Sequence, residues 1–305
     1  MNPTTPTAVD ARAGAVMSLL CLVWALQQVS LKAVADAASP LLMVALRSGI
    51  ALVMLALLMR WRGETPQRQH FGPGLVAGAL FGLEYLLVAR ALQLAPASHI
   101  VIFLYTAPLF AALGLHLRLP AERLAPPQWA GIALAFAGTA WAFAGSAGSA
   151  TLQGDLLALA AGAAWGATTV TLRCSRLATA PATETLLYQL LGAFVLLLPV
   201  AALDSQAPPT FTPRVLAHLG FQAVVVSFAS FLAWCWLLRR YLASQLGAFA
   251  FLTPLFGVLL GMALLDERPE AGFGAGCLGV LAGIALVSGI GPARRRHAVM
   301  RTPAP

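Results

Sequence analysis

Residues 97–110 read ASHIVIFLYTAPLF, and residues 243–256 read ASQLGAFAFLTPLF. At a constant offset of 146, Ala97, Ser98, Phe103, Pro108, Leu109 and Phe110 meet Ala243, Ser244, Phe249, Pro254, Leu255 and Phe256. Each copy continues through an acidic-basic pair, Glu122-Arg123 and Glu267-Arg268. Each then enters a glycine-spaced apolar run, Gly131 to Gly138 and Gly276 to Gly283. A hydrophobic unit that recurs within one membrane chain is the pattern of a protein with a binding site between two halves.

Working outward, the rest of the chain is as apolar as these copies. Of its 305 residues, 59% are hydrophobic and only 10% charged, with a mean hydropathy of +0.81. Soluble domains carry about 25% charged residues, so this composition predicts a polytopic membrane protein. Ten segments are long and apolar enough to span a bilayer, which takes about 20 residues each. They are 13–35, 40–60, 73–94, 97–118, 126–145, 154–174, 183–202, 214–238, 243–265 and 271–290. An outer-membrane barrel is excluded, since its strands alternate polar and apolar residues. The first apolar run lacks a convincing small-residue cleavage site and reads as a span, not a signal peptide. The expected fold is all-α, with ten transmembrane helices.

Basic residues orient the spans. With the N-terminus inside, 14 of the 19 Lys and Arg residues fall in inside segments or the tail. That asymmetry places both termini in the cytoplasm. It also accounts for the net charge of +8 without nucleic acid. The tail PARRRHAVMRTPAP (within 291–305) is expected at the inner leaflet. Cys21, Cys174, Cys235 and Cys277 sit in apolar runs without CxxC spacing, and read as buried hydrophobes, neither disulfides nor a metal site.

The duplication extends further. Trp24, Val29, Leu31 and Lys32 in the first span match Trp165, Val170, Leu172 and Arg173 in the sixth at offset 141. Spans 1–5 therefore map onto spans 6–10. Five is odd, so the second half enters the membrane in the opposite sense, an inverted repeat. The expected divisions are 1–145, 146–290 and the basic tail 291–305.

The pattern A-S-x(9)-P-L-F, then E-R, then G-I-A-L-A-F-A-G, with its second copy leading to D-E-R-P and G-V-L-A-G, resembles the EamA-type drug/metabolite transporter superfamily. The resemblance covers almost the whole chain. It implies two inverted five-helix repeats and export of small metabolites, with the greatest similarity to bacterial amino-acid exporters, aromatic ones especially. It also implies a cavity built from spans 1, 3, 4, 6, 8 and 9. Drug or other metabolite efflux is the alternative within the same fold.

Ionisable groups at membrane depth are costly and mark function or a paired partner. Glu84 lies mid-span beside Phe81 and Tyr85, and is read as a cavity carboxylate for a substrate amine or coupling proton, or as the structural partner of Arg47. Its repeat-mate is Ser230, and that of Arg47 is Gln189. Trp24 and Trp165, followed by Gln27, Gln28 and Thr168, Thr169, suit an amphipathic small molecule. Ser227, Ser230 and Trp234 recur at i, i+3, i+7 on one helix face. Tyr85, Tyr105 and His99, whose mate is Gln245, complete the candidates; each has a packing or interfacial alternative. Pro108 and Pro254 are expected to kink spans 4 and 9.

The glycine ridges Gly74, Gly78, Gly82 and Gly272, Gly276, Gly279, Gly283 read as close helix contacts. On spans 5 and 10 they offer a homodimer surface, with intramolecular packing the simpler reading. Gly274-x-Gly276-x-x-Gly279 copies a dinucleotide fingerprint but follows no strand. An enzyme is not expected: there is no HExxH motif or paired acid set, and Gly145-Ser-Ala-Gly148 has no histidine placed near it. No nucleotide loop or cofactor motif occurs, so transport is expected to be passive or ion-coupled, with Glu84 and His99 as coupling candidates. The partners are a small-molecule substrate and the lipid bilayer of the inner membrane.

Overall fold

The computed structural model describes residues 6–143, 151–204, 208–265 and 271–289. Glu267-Arg268, the Gly145–Gly148 loop and the tail 291–305 lie outside the described residues. What is described is helical throughout, with one isolated bridge between Thr7 and Tyr241. The helices are α1 (Ala11–Lys32), α2 (Pro40–Trp61), α3 (Phe71–Ala91), α4 (Ala97–Leu104), α5 (Ala107–Arg118) and α6 (Pro126–Phe143). The second half contributes α7 (Leu152–Cys174), α8 (Ala182–Asp204), α9 (Pro213–Phe221), α10 (Phe231–Arg240), α11 (Ala243–Phe249), α12 (Leu252–Leu265) and α13 (Phe273–Ser288).

Among the described residues, eight helical stretches are long and apolar enough to cross a membrane: Ala11–Lys32, Pro40–Trp61, Arg68–Ala91, His99–Arg118, Leu152–Cys174, Ala182–Leu203, Pro213–Arg240 and Ala243–Leu264. α6 and α13 stand apart from these. α13 has 16 residues, and α6 opens on Pro126-Pro-Gln, which thins its apolar content. Both pack principally against each other.

Local sequence explains where the helices start and break. Asp10 caps α1 by accepting from the Ala13 amide at 2.8 Å, and Ser39 and Thr151 cap α2 and α7 in the same way. The expected interruptions occur at matching places. α4 ends at Leu104 and α5 starts at Ala107; α11 ends at Phe249 and α12 starts at Leu252. Pro108 and Pro254 lie in the first turn after each break, because a proline ring clashes with the carbonyl four residues back. A third irregularity was not expected. Between α9 and α10 the chain adopts a π-helical stretch, Gln222–Ser230.

The core lies between the halves. α1 packs on α12, α2 on α8 and the π-helical stretch, α3 on α7 and α8, α4 and α5 on α7, and α6 on α13. Glycine sets the closest approaches. A Cβ added at Gly192 of α8 would lie 2.1 Å from the Gly78 carbonyl oxygen of α3, so any side chain there forces the helices apart. Gly131 and Gly138 of α6 meet Gly283 and Gly276 of α13 in the same manner. The glycine ridges of α6 and α13 thus face each other within the chain.

Candidate functional site

Where α1, α3, α7 and α10 converge, polar and aromatic side chains line a cavity of about 90 Å³. Its walls are mainly aromatic. Trp24 stands edge-on to Trp234 at 5.7 Å between ring centroids, and Phe81 edge-on to Tyr85 at 5.2 Å and to Phe231 at 5.7 Å. Across the cavity Tyr105 meets Trp165 at 5.6 Å, again edge-on. Such edge-to-face contacts fix ring positions while leaving π-faces for a ligand.

Polar groups punctuate this cage. Glu84 lines it and is 91% buried, and its Oε2 has no hydrogen-bond partner. A buried carboxylate oxygen without a donor is costly, and the cost marks it as a place where a ligand's donor would be gained. Gln27, Gln28 and Gln189 also reach the wall. The threonines Thr168 and Thr169 line the cavity too, but their hydroxyls already donate to Ala164 O and Trp165 O of their own helix.

Arg47 stands one layer behind, 99% buried. Its guanidinium donates to Gln27 Oε1 at 2.6 Å, to Gln222 Oε1 at 2.5 Å and to the Tyr85 hydroxyl at 3.1 Å. It also sits 5.4 Å from the Tyr85 ring and 5.8 Å from the Phe231 ring. Among the described residues no hydrogen bond or salt bridge joins Arg47 to Glu84; the direct contacts of the guanidinium are with amides, a phenol and ring faces. The positive charge is fixed behind Gln27 and Tyr85, while Glu84 lines the cavity.

The structure thus gathers Trp24, Gln27, Glu84, Tyr85, Tyr105, Trp165, Thr169 and Trp234 on one wall or another of the same space. Ser230 lies just behind, accepting from Trp24 Nε1 at 3.0 Å and so orienting that ring. Ser227 is fully buried away from the cavity. Ser230 and Trp234 both meet Trp24, whereas Ser227 does not line the cavity; these residues fall across the π-helical stretch, whose turn carries more residues than an α-turn. His99 is displaced altogether: it is half-buried against Asp155, with Nδ1 3.4 Å from Oδ1, outside the cavity wall. Pro108 and Pro254 lie at the helix breaks and do not line the cavity themselves, although Pro254 follows Thr253, which does.

Sequence reasoning passed over Gln222, Phe81 and Phe231 as site residues. The Phe81–Glu84 spacing of one helical turn was a usable signal, as was a lone glutamine in an apolar span. It also passed over a second buried constellation. Glu122, 1% exposed, receives two bonds from the Arg173 guanidinium (Nε at 3.2 Å, NH2 at 2.9 Å). The same carboxylate accepts from the Ala243 amide at 3.0 Å, the Ser244 amide at 3.2 Å and the Ser244 hydroxyl at 2.9 Å.

Comparisons with known proteins agree with a membrane carrier. The model of the EamA-like transporter family matches the chain twice, over residues 12–144 and 152–289. A protein of Archaeoglobus fulgidus described as an uncharacterized transporter is 25% identical over 289 residues, covering 92% of this chain and 98% of that one. A solved structure described only as the crystal structure of a protein shares the fold, with a TM-score of 0.79 at 23% identity, across 93% of this chain and all of its own.

Proposed function

Because the chain belongs to the EamA-like transporter family, we propose that it is a secondary transporter of the inner membrane that exports small metabolites, amino acids with aromatic or other bulky side chains, by alternating access. The observation that carries this reading is the buried carboxylate of Glu84, with one oxygen lacking a hydrogen-bond partner, on the wall of an aromatic cage with Arg47 fixed behind it. An α-ammonium group pairs with Glu84. The α-carboxylate lies toward Gln27 and Tyr85, in the field of Arg47. A large apolar side chain stacks among Trp24, Trp165 and Trp234. An ion-coupled cycle would use Glu84, since His99 is held by Asp155 away from this space.

In this reading α6 and α13 complete ten spans, divided at 1–145 and 146–290 into inverted repeats, with both termini and the 291–305 tail in the cytoplasm. The packing supports it. Exchanging the first five spans for the second turns α1 on α12 into α7 on α4 and α5, and α2 on the π-helical stretch into α8 on α3; α6 on α13 maps onto itself. The cavity volume supports movement: about 90 Å³ holds a few waters, whereas sites for drug-sized ligands span about 300–1,000 Å³. A bulky amino acid enters only if the halves part.

The test is transport in sealed proteoliposomes. Labelled phenylalanine or tryptophan crosses with the wild-type protein, and Glu84→Gln slows it at least about tenfold, the effect of losing one charge-assisted bond of about 1.5–3 kcal/mol. Protein level in the membrane stays near wild type. Binding without movement would sink the transporter reading, and equal losses of transport and protein would make Glu84 structural.

A further inference from the structure

Glu122 belongs to neither the cavity nor the lipid face, yet it is the carboxylate with most partners among the described residues. It sits in the 3-10 turn Pro120–Glu122 between α5 and α6. Its partners come from the other half of the chain: Arg173 in the last turn of α7, and Ala243 and Ser244 at the start of α11. Arg173 in turn donates to Leu238 O at 2.8 Å, near the end of α10. One ion pair therefore ties four elements together at a single end of the bundle.

That end adjoins the cavity. A small hollow beside Arg173 is lined by Leu172, Leu177, Thr185 and Cys235. Leu172 also lines the central cavity, and Gln189 on the cavity wall donates to Cys235 Sγ at 3.6 Å. Leu172 and the Gln189–Cys235 contact thus set this hollow against the cavity wall, and Arg173 of the clasp lines the same hollow. The N-terminal segment reinforces the closure: Thr7 bridges to Tyr241, and the Val9 amide donates to Gln245 Oε1 at 2.8 Å.

We infer that Glu122 is a gate residue, whose clasp on Arg173 and the start of α11 seals one end of the path and releases when the cavity turns to that side. The inference rests on the transport reading above. A buried ion pair is suited to this work. Its desolvation cost roughly offsets its Coulombic gain, so the closed form is specified by geometry while neither form is favoured by much. Opening returns both ions to water instead of exposing apolar surface. A purely apolar plug would hold harder and release less readily.

The experiment uses the full chain carrying Cys235 as its only cysteine, with Cys21, Cys174 and Cys277 changed to alanine. A membrane-impermeant maleimide is applied to vesicles of each orientation, without substrate. Cys235 is 2% exposed in the clasped form and labels slowly from either side. In Glu122→Gln, labelling from the face bearing Arg173 rises about tenfold, the population shift that about 1.4 kcal/mol produces, and labelling from the other face does not rise. Ser244→Ala removes one contact and keeps the charges, and gives a smaller rise of the same sense. Unchanged labelling in folded Glu122→Gln overturns the proposal. So does loss of folded protein in both variants with no rise in what remains, since the contacts then serve folding alone. A labelling shift in a protein that moves no substrate would leave the gate standing and remove the transport reading; transport with no shift would do the reverse.

Discussion

α4 and α11 begin with the same Ala-Ser and belong to the same repeated motif, yet they are covered differently. In α11, six of seven residues are buried: Ala243, Ser244, Gln245, Leu246, Ala248 and Phe249. In α4, Ile100 is the one fully buried side chain among those described, and Val101 to Leu104 are half-buried. The mates Gln245 and His99 show the contrast in single residues. Gln245 accepts from Val9 N and donates to Val287 O, tying the chain's start to α13. His99 faces Asp155 at a partly wetted edge. Similar sequence thus specifies the helix and its break, while neighbours supplied by distant segments decide whether that helix is sealed. The sealed end is the one carrying the Glu122 clasp.

The largest effect separating the two comes from the paired phenylalanines. Phe249→Ala removes a buried ring and costs about 3–5 kcal/mol, whereas Phe103→Ala, half-buried, costs less than half as much; thermal unfolding of the two purified variants in one detergent measures the gap. Equal losses would break the comparison. A smaller gap is expected between the polar mates. Gln245→Ala leaves the Val9 amide unpaired and costs about 1–3 kcal/mol, while His99→Ala gives up a partly exposed contact worth about 0–1 kcal/mol. The same unfolding assay reads both, and a larger loss at His99 would reverse the argument. At the prolines the difference should vanish. Pro108→Ala and Pro254→Ala sit in equivalent first turns with no donor at stake, and their stabilities should agree within about 0.5 kcal/mol.

Particular residues show how far the sequence could be read. The apolar runs mark their own lengths, and Pro108 and Pro254 mark their own breaks, because both signals are local. Most cavity residues were legible for a similar reason: tryptophans, tyrosines and a carboxylate in apolar spans are expensive choices that need an explanation. Gln222 was not legible, because the π-helical stretch that brings it to Arg47 leaves no mark on periodicity. Glu122 was not legible either. Its partners lie 51 and 121 residues away, and an acidic-basic pair beside a span end looks the same whether it faces water or a folded neighbour. His99 was left between a cavity and an interfacial place for the opposite reason, since a short helix such as α4 does not say which of its faces will be covered.

The contact of α6 with α13 carries a mechanical consequence. Gly131 and Gly138 hold one half of the chain against Gly283 and Gly276 of the other, backbone on backbone. Rods that approach this closely can roll along their shared line but lose contact steeply when pulled apart. If the halves rock as proposed, this seam is the axle between them. Displacement would then be least beside it and grow with distance, so the widest swing would fall at the rim of the bundle remote from the seam.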